Sequence, residues 1–460
     1  MILKTLQTFI KHHPQAPLVV AYSGGVDSQV LLHAIAELKR QNVIEQNVLA
    51  IHVNHGLSTN ATQWQSFAEQ QCQQLNICFK TINVEVIDKP QISLEAQARE
   101  RRYQALENIS PNNAIILTGH HQDDQVETFF LSLKRGSGLK GLSAMGYESE
   151  FGDKNQVLIR PLLAISRESI VKYAQEHQLE WIEDESNSDT RFDRNFLRQD
   201  ILPQLKARWS TFNQTVLRST QHCQEAQQIL DEVAESDLAK CLLEEKVLSV
   251  SALKLLSKAR FSQVIRFFIQ QHKSLMPSQQ QLHQLYQQLS LAGQDKNPEL
   301  KLGDIWLRRF QDKLYLTSEF QVVTQWKCEI KHSKENQIIE LPDCLGKLSV
   351  DFTQEHLPKT NGLEDKLGLT SLLSVPESIE SIILVFTHNN PKCLPDYRQH
   401  SRALKKVLQE LNIPPWQRKR LPLLFINDEL AAVIGYFVCQ PFLANKYQQK
   451  IIVHWLKESG

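Results

Sequence analysis

The strongest chemical signal in the chain is six consecutive residues, Ser23-Gly24-Gly25-Val26-Asp27-Ser28. The apolar run Leu18 to Tyr22 precedes them and reads as a strand buried on both faces. From Gln29 to Arg40, Val30, Leu31, Ala34, Ile35 and Leu38 recur at helical spacing, with Asp27 or Ser28 placed to cap that helix. Glycines lacking a Cβ let the backbone turn sharply and approach a ligand closely. A strand, a glycine turn and a helix N-terminus aim free N–H groups and the positive end of the helix dipole at one point, which suits phosphate. No lysine follows the glycines as a G-x-x-x-x-G-K-[ST] loop requires, and no G-x-G-x-x-G fingerprint is present.

A second cluster offers the complementary charge. His120, Asp123, Asp124 and Glu127 fall at i, i+3, i+4 and i+7, so a helix would place all four on one face. Acids near a helix N-terminus are mildly favoured by the dipole alone. Three carboxylates beside a phosphate loop also suit Mg²⁺ with a triphosphate, or a cationic amine. Glu95, Arg99 and Arg102 share another face, as a solvated ion pair or as a basic surface for phosphate or RNA. Lys134 to Leu142 holds three glycines and three cations, including Arg135: a mobile lid over an anion, or a surface connection. Past the acidic turn Trp181 to Asp189 come Arg191, Arg194 and Arg198.

The elements that must position these groups alternate. Strand patterns at Leu18–Tyr22, Val48–Val53, Ile77–Val86, Ala114–Thr118 and Val157–Ile159 are separated by helical stretches, among them Ala61–Leu75 and Ser93–Leu106. Such repetition predicts a parallel, doubly wound α/β sheet with right-handed crossovers. Ligands in such sheets sit beyond the strands' carboxyl ends, so Gly24, His55, Gly119 and Arg160 should rim one crevice. The expected organisation is a nucleotide-binding domain over residues 1–210, a mostly helical middle domain over 211–325, a linker or further strands over 326–375, and a small α+β domain over 376–460. In the last, Ile413 to Arg420 is a rigid corner. Its Trp416, Arg418, Lys419 and Arg420 interleave base-stacking and cationic groups, as RNA contacts do. Pro422–Phe425 and Leu430–Phe437 read as a hairpin around Asn427-Asp428.

Lys+Arg 51 against Asp+Glu 51 gives a formal net charge of zero, so any nucleic-acid contact must use local patches. No apolar run approaches the roughly 18 residues a membrane span needs. The eight cysteines are scattered without a C-x-x-C pair, which suggests a reducing, cytoplasmic setting and argues against zinc or iron–sulfur sites.

Ser23 to Ser28 resembles the pyrophosphate loop of the N-type ATP pyrophosphatases, a Rossmann-like PP-loop fold. Further matches follow in order: Asn54-His55-Gly56-Leu57; Glu95-Ala96 with Arg99, Arg102 and Tyr103; His120 with Asp123-Asp124 and Glu127-Thr128; Arg135-Gly136-Ser137-Gly138; Arg160-Pro161-Leu162-Leu163; and Glu183-Asp184 with Ser186-Asn187, Asp189, Arg194-Asn195 and Arg198. Together they resemble the tRNA(Ile)-lysidine synthases over about the first 200 residues, and the C-terminal segment resembles that family's last domain. Ser58 departs from it, standing where the family often has arginine.

The resemblance implies ATP and Mg²⁺ on Ser23, Gly24, Gly25, Val26, Asp27 and Ser28, with Asp27 and Asp124 at the metal. It implies a CAU-anticodon isoleucine tRNA and free L-lysine as partners, with no membrane and with room for a homodimer. The cytidine C2 oxygen attacks the α-phosphate and expels pyrophosphate. The lysine amine then expels AMP, and decoding moves from AUG to AUA. Glu127, Asp123 or His120 would handle the amine's proton. Arg99, Arg102, Arg135, Arg194, Arg198, Trp416, Arg418, Lys419 and Arg420 would meet the RNA. Two other readings stay open: another adenylating tRNA-modifying enzyme on the same fold, or a non-catalytic ATP-responsive tRNA-binding protein.

Overall fold

A computed structural model describes residues 1–460 except 55, 57–59, 86–93, 186–188, 273, 292–296, 334, 354–367, 377, 445, 448 and 458–460. The chain divides into two compact units, Met1–Val233 and Ala234–Gly460.

The first unit runs α1 (Ile2–Lys11), β1 (Leu18–Ala21), α2 (Val26–Arg40), β2 (Val48–Asn54), α3 (Ala61–Gln74), β3 (Cys78–Asn83), α4 (Leu94–Ile109), β4 (Ile115–Leu117), α5 (Gln122–Lys134), α6 (Leu139–Leu142), β5 (Glu148–Phe151), β6 (Gln156–Ile159) and α7 (Arg167–Glu176). After these come α8 (Asp193–Phe196), a π-helical turn (Leu197–Ile201), α9 (Leu202–Arg208) and α10 (Phe212–Cys241). The sheet order is β3-β2-β1-β4-β6-β5, parallel except for β5, which pairs antiparallel with β6. That edge hairpin was not anticipated, because Glu148 to Phe151 carries too little apolar character to read as a strand.

Alternation along β1 explains its central place. Leu18 and Val20 join one core with Val30, Leu31 and Ile35 of α2. Val19 joins the opposite core with Ile51, Leu106 and Ile116. Both faces are covered, as a parallel sheet demands. The third strand is shorter than its apolar pattern, and residues 86–93, including Ser93, lie outside the described residues.

In the second unit, strands at Leu242–Glu244, Val247–Ser249, Glu299–Leu302, Ile305–Phe310 and Lys313–Ser318 form one sheet. Helices Val250–Lys254, Lys258–Gln271 and Gln279–Leu291 accompany them. The described parts of 326–375 are not a linker. Gln337–Glu340, Lys347–Thr353 and Gly368–Val375 form a four-stranded sheet with Gln449–Leu456. A second, five-stranded sheet holds the predicted hairpin, Leu423–Ile426 with Glu429–Val433. Asn427 and Asp428 turn it with φ of 47° and 63°, values that Asn and Asp tolerate best among non-glycines. Among the described residues no helix is long and apolar enough to cross a membrane.

Candidate active site

The loop after β1 is knotted by its own serines. Ser28 is buried; its Oγ accepts from the Ser23 N–H (3.2 Å), lies 3.0 Å from Ser23 Oγ and donates to the Gly25 carbonyl (3.0 Å). Gly24 takes φ +86°, which a side chain would resist. The helix begins three residues earlier than its periodicity indicates: Gly25 is the N-cap and α2 starts at Val26. Asp27 therefore sits in the first turn rather than at a cap. The Ile182 N–H donates to the Gly24 carbonyl (2.9 Å), pinning the loop from outside.

A cavity of about 320 Å³ opens at the carboxyl ends of β1, β2 and β4. Ser23, Gly25, Asp27 and Ser28 line one wall, with Asn54, Trp64, Arg102, Tyr103, Thr118, Gly119, His120, Asp124 and Asp184 around it. His55, Leu57 and Ser58, and with them the family departure at 58, lie outside the described residues, as do Ser186 and Asn187; the Glu95 side chain is likewise not described.

Gly119 is the pivot between the loop and the acids. A Cβ there would stand 2.9 Å from the Asp27 carbonyl carbon and 3.1 Å from the Ser28 nitrogen, both backbone atoms. Gly119→Ala should therefore displace the N-terminus of α2. A nucleotide-binding titration should show affinity reduced at least about tenfold, with a lowered melting temperature from the strain.

Asp124 and Glu127 share one face of α5, where both meet Arg194 and Arg198, but Asp123 and His120 do not join them. His120 precedes α5, and the N-cap is His121, which sequence reasoning missed. His121 Nδ1 accepts from the Asp123 N–H (3.2 Å), which leaves the proton on Nε2. That Nε2 lies 3.5 Å from Asp27 Oδ1 and 3.4 Å from Asp124 Oδ2, so one buried imidazole bridges both carboxylates. A capping box joins the His121 and Asp124 side chains to each other's backbone, and the spacing of those two residues is the signal that could have revealed it.

Burial raises the Asp27 carboxyl above the usual range, only partly offset by His121, and its Oδ1 has no hydrogen-bond partner. Burial would raise Asp124 as well. There His121, Arg194 and His120 outweigh it and hold the group below the usual range.

Asp123 turns away from the cavity. It takes Lys206 Nζ at 2.9 Å and the Asn213 amide. Glu127 is fully buried behind the wall, bonded to Arg194 Nε and Arg198 Nε at 2.7 Å each. Both guanidinium groups also approach Asp124 Oδ1, at 3.4 and 3.3 Å. Arg194 and Arg198, expected from the sequence at the RNA, are both engaged in ion pairs with these acids.

Arg102 brings a cation to the cavity lining, and Arg99 and Arg160 also lie near His120. Arg99 donates to Tyr103 Oη (3.1 Å), and Arg102 lies 5.8 Å from the same ring. Arg160 is buried, donating to the Gly146 carbonyl (2.9 Å). Burial, with these three arginines, pushes His120 down to about 3, so it is neutral near pH 7; its Nδ1 lies 2.8 Å from Thr118 Oγ1.

The side chains of the C-terminal corner also have partners of their own. Trp416 packs edge-on against Tyr315 and Phe310, Arg418 donates to the Ile413 carbonyl (2.7 Å), and Arg420 pairs with Asp343 beneath Phe320. These three side chains each contact residues of the second unit. Of the four corner residues only Lys419 is exposed; Arg135, in the first unit, is exposed too.

Family comparisons agree along the chain. The PP-loop domain family matches residues 1–205, the TilS substrate binding domain 248–315, and the TilS substrate C-terminal domain 382–455. A tRNA(Ile)-lysidine synthase of Actinobacillus pleuropneumoniae is 41% identical over 443 residues, covering 95% of this chain and 100% of its own. That of Serratia proteamaculans is 40% identical over 441 residues, 96% of each chain. Among solved structures, the U34-tRNA thiolase NcsA of Methanococcus maripaludis aligns over 49% of this chain and 78% of its own. Its 18% identity and TM-score of 0.42 are too distant to bear on activity.

Proposed function

This chain belongs to the tRNA(Ile)-lysidine synthase family, and we propose that its crevice ligates L-lysine to C2 of the wobble cytidine in the CAU-anticodon isoleucine tRNA. The enzyme is an ATP-using ligase with a PP-loop nucleotide domain. The observation carrying the assignment of roles is Asp27 Oδ1, a buried acceptor that makes no hydrogen bond and has His121 Nε2 at 3.5 Å, at the N-terminus of α2 and across that imidazole from Asp124.

The β- and γ-phosphates rest on the loop from Ser23 to Ser28, at the unpaired N–H groups of the first helical turn. This leaves the α-phosphate facing the cavity. The cytidine C2 oxygen bonds to that phosphorus, and pyrophosphate leaves. The lysine amine then bonds to C2, and AMP leaves with the oxygen. Asp27 and Asp124 are the residues to hold Mg²⁺, which favours hard oxygen ligands and commonly takes only one or two carboxylates beside phosphate and water. When bound, the ion would offset triphosphate charge.

Of the residues named for the amine's proton, His120 lines the cavity, as does Asp124 of the metal pair, whereas Asp123 and Glu127 are engaged elsewhere. A free lysine ammonium titrates near 10.4 and so arrives charged. Asp124 attracts it; the ammonium must give up a proton before its nitrogen can bond to C2, and the neutral His120 at the cavity wall is the group open to receive it. Arg102, at the cavity wall, and the exposed Arg135 and Lys419 are the cations for RNA phosphate. Eight free cysteines fit a reducing cytoplasm.

Radiolabelled lysine, ATP and the CAU-anticodon transcript test the reading. The expected result is lysine fixed in tRNA, with one AMP and one pyrophosphate per lysine. A transcript that binds without incorporating lysine would overturn it.

A further inference from the structure

Beyond the crevice, the first unit exposes an apolar surface that the chemistry does not use. Trp209, just past α9, is 54% exposed, as is Leu133 on the last turn of α5. The indole stacks on Phe212 (centroids 5.9 Å, 25° between planes), and Phe212 rests against Phe130 at 6.0 Å. Leu133 follows Phe130 by three residues, on the same side of α5. One face of Trp209 is therefore held rigidly while the other is open.

The chain around this surface is cationic. Arg208 adjoins the indole and Arg135 adjoins the end of α5, both exposed. The surface is also tied to the crevice. Lys206, one turn before Trp209, bonds Asp123, whose neighbour Asp124 lines the cavity.

We propose that Trp209 is a stacking platform for an unpaired base of the RNA substrate, next to the base that enters the crevice. An open, rigid indole flanked by exposed arginines matches single-stranded RNA, in which bases stack on aromatic faces while cations follow the phosphates. This rests on the RNA-modifying reading above and assigns that substrate a second contact.

The test uses the full-length chain. Intrinsic tryptophan fluorescence is followed while CAU-anticodon transcript is added, for wild type and Trp209→Phe. Part of the quenching should vanish in Trp209→Phe, whose benzyl ring keeps most of the stacking. In Trp209→Ala, KM for tRNA should rise about tenfold or more, with KM for ATP and kcat at saturating tRNA unchanged. Quenching that survives Trp209→Phe, an unchanged tRNA KM in a folded Trp209→Ala, or a changed oligomeric mass in place of either result would overturn the platform. A second copy of the chain would then be the occupant. Quenching needs no turnover, so wild-type chain that binds transcript without fixing lysine would sink the parent reading while the fluorescence still decided this one.

Discussion

Asp27→Asn should lose pyrophosphate release by about 10²–10³-fold while tRNA binding persists and the melting temperature holds or rises. The two halves have one cause. Asp27 is partly buried with its Oδ1 shut off from solvent, desolvation raises its carboxyl, and Oδ1 has no hydrogen-bond partner. A carboxyl whose folded pKa lies above its unfolded value costs stability once pH passes the unfolded value, because the fold disfavours the ion. Near neutrality the protein therefore bears this charge at a cost, and a neutral amide relieves it. What disappears is the acceptor for triphosphate and metal. A coupled pyrophosphate assay and a thermal melt on the same sample decide the matter. Wild-type turnover, or a clear loss of stability, would show that Asp27 belongs to the scaffold.

Glu127→Ala should have the largest effect on stability. Glu127 is fully buried; Oε1 accepts from Arg198 Nε at 2.7 Å, and Oε2 accepts from Arg194 Nε at 2.7 Å and from Arg198 Nη2 at 3.1 Å. Removing the acid leaves two largely buried arginines with only the longer contacts to Asp124. Breaking such a pair from one side typically costs about 3–5 kcal/mol, because the surviving charge stays desolvated. Hydrogen exchange of the α5 amides should accelerate accordingly. The triple variant Glu127→Ala, Arg194→Ala, Arg198→Ala should recover part of the loss, since no guanidinium is left without its acid and Asp124 keeps His121. Additive losses across these variants would mean the four charges do not act as one unit.

How much of this could be read before any coordinates follows a physical divide. The Ser23–Ser28 turn, the strands beside it and the hairpin around Asn427-Asp428 rest on local rules: glycine freedom, apolar runs, turn residues. The start of α2 at Val26 was hidden because the first turn is polar and small, so apolar periodicity begins only at Val30. The acid cluster was legible in membership but not in direction. Spacing placed Asp123, Asp124 and Glu127 on one face, yet partners distant in sequence separate them: Lys206 and Asn213 for Asp123, Arg194 and Arg198 for Glu127. His121 escaped notice beside His120 because its role is a cap, set by backbone donors. The basic-aromatic corner misled for the same reason. Composition shows an indole and three cations, but only packing reveals that Tyr315 takes the indole edge-on, that Arg420 pairs with Asp343 beside Phe320, and that Arg418 bonds a backbone carbonyl.

The long reach of those ion pairs bears on how the chain emerges from a ribosome. Glu127 lies 67 and 71 residues before its two arginines, and Asp123 lies 83 before Lys206 and 90 before Asn213. All six strands of the first sheet are complete by Ile159. A nascent chain halted there has every strand but none of the cations that let α5 bury its acids. It should stay protease-sensitive at α5 until Arg198 to Asn213 clear the exit tunnel, so translation delays this active site until its counter-charges have been made.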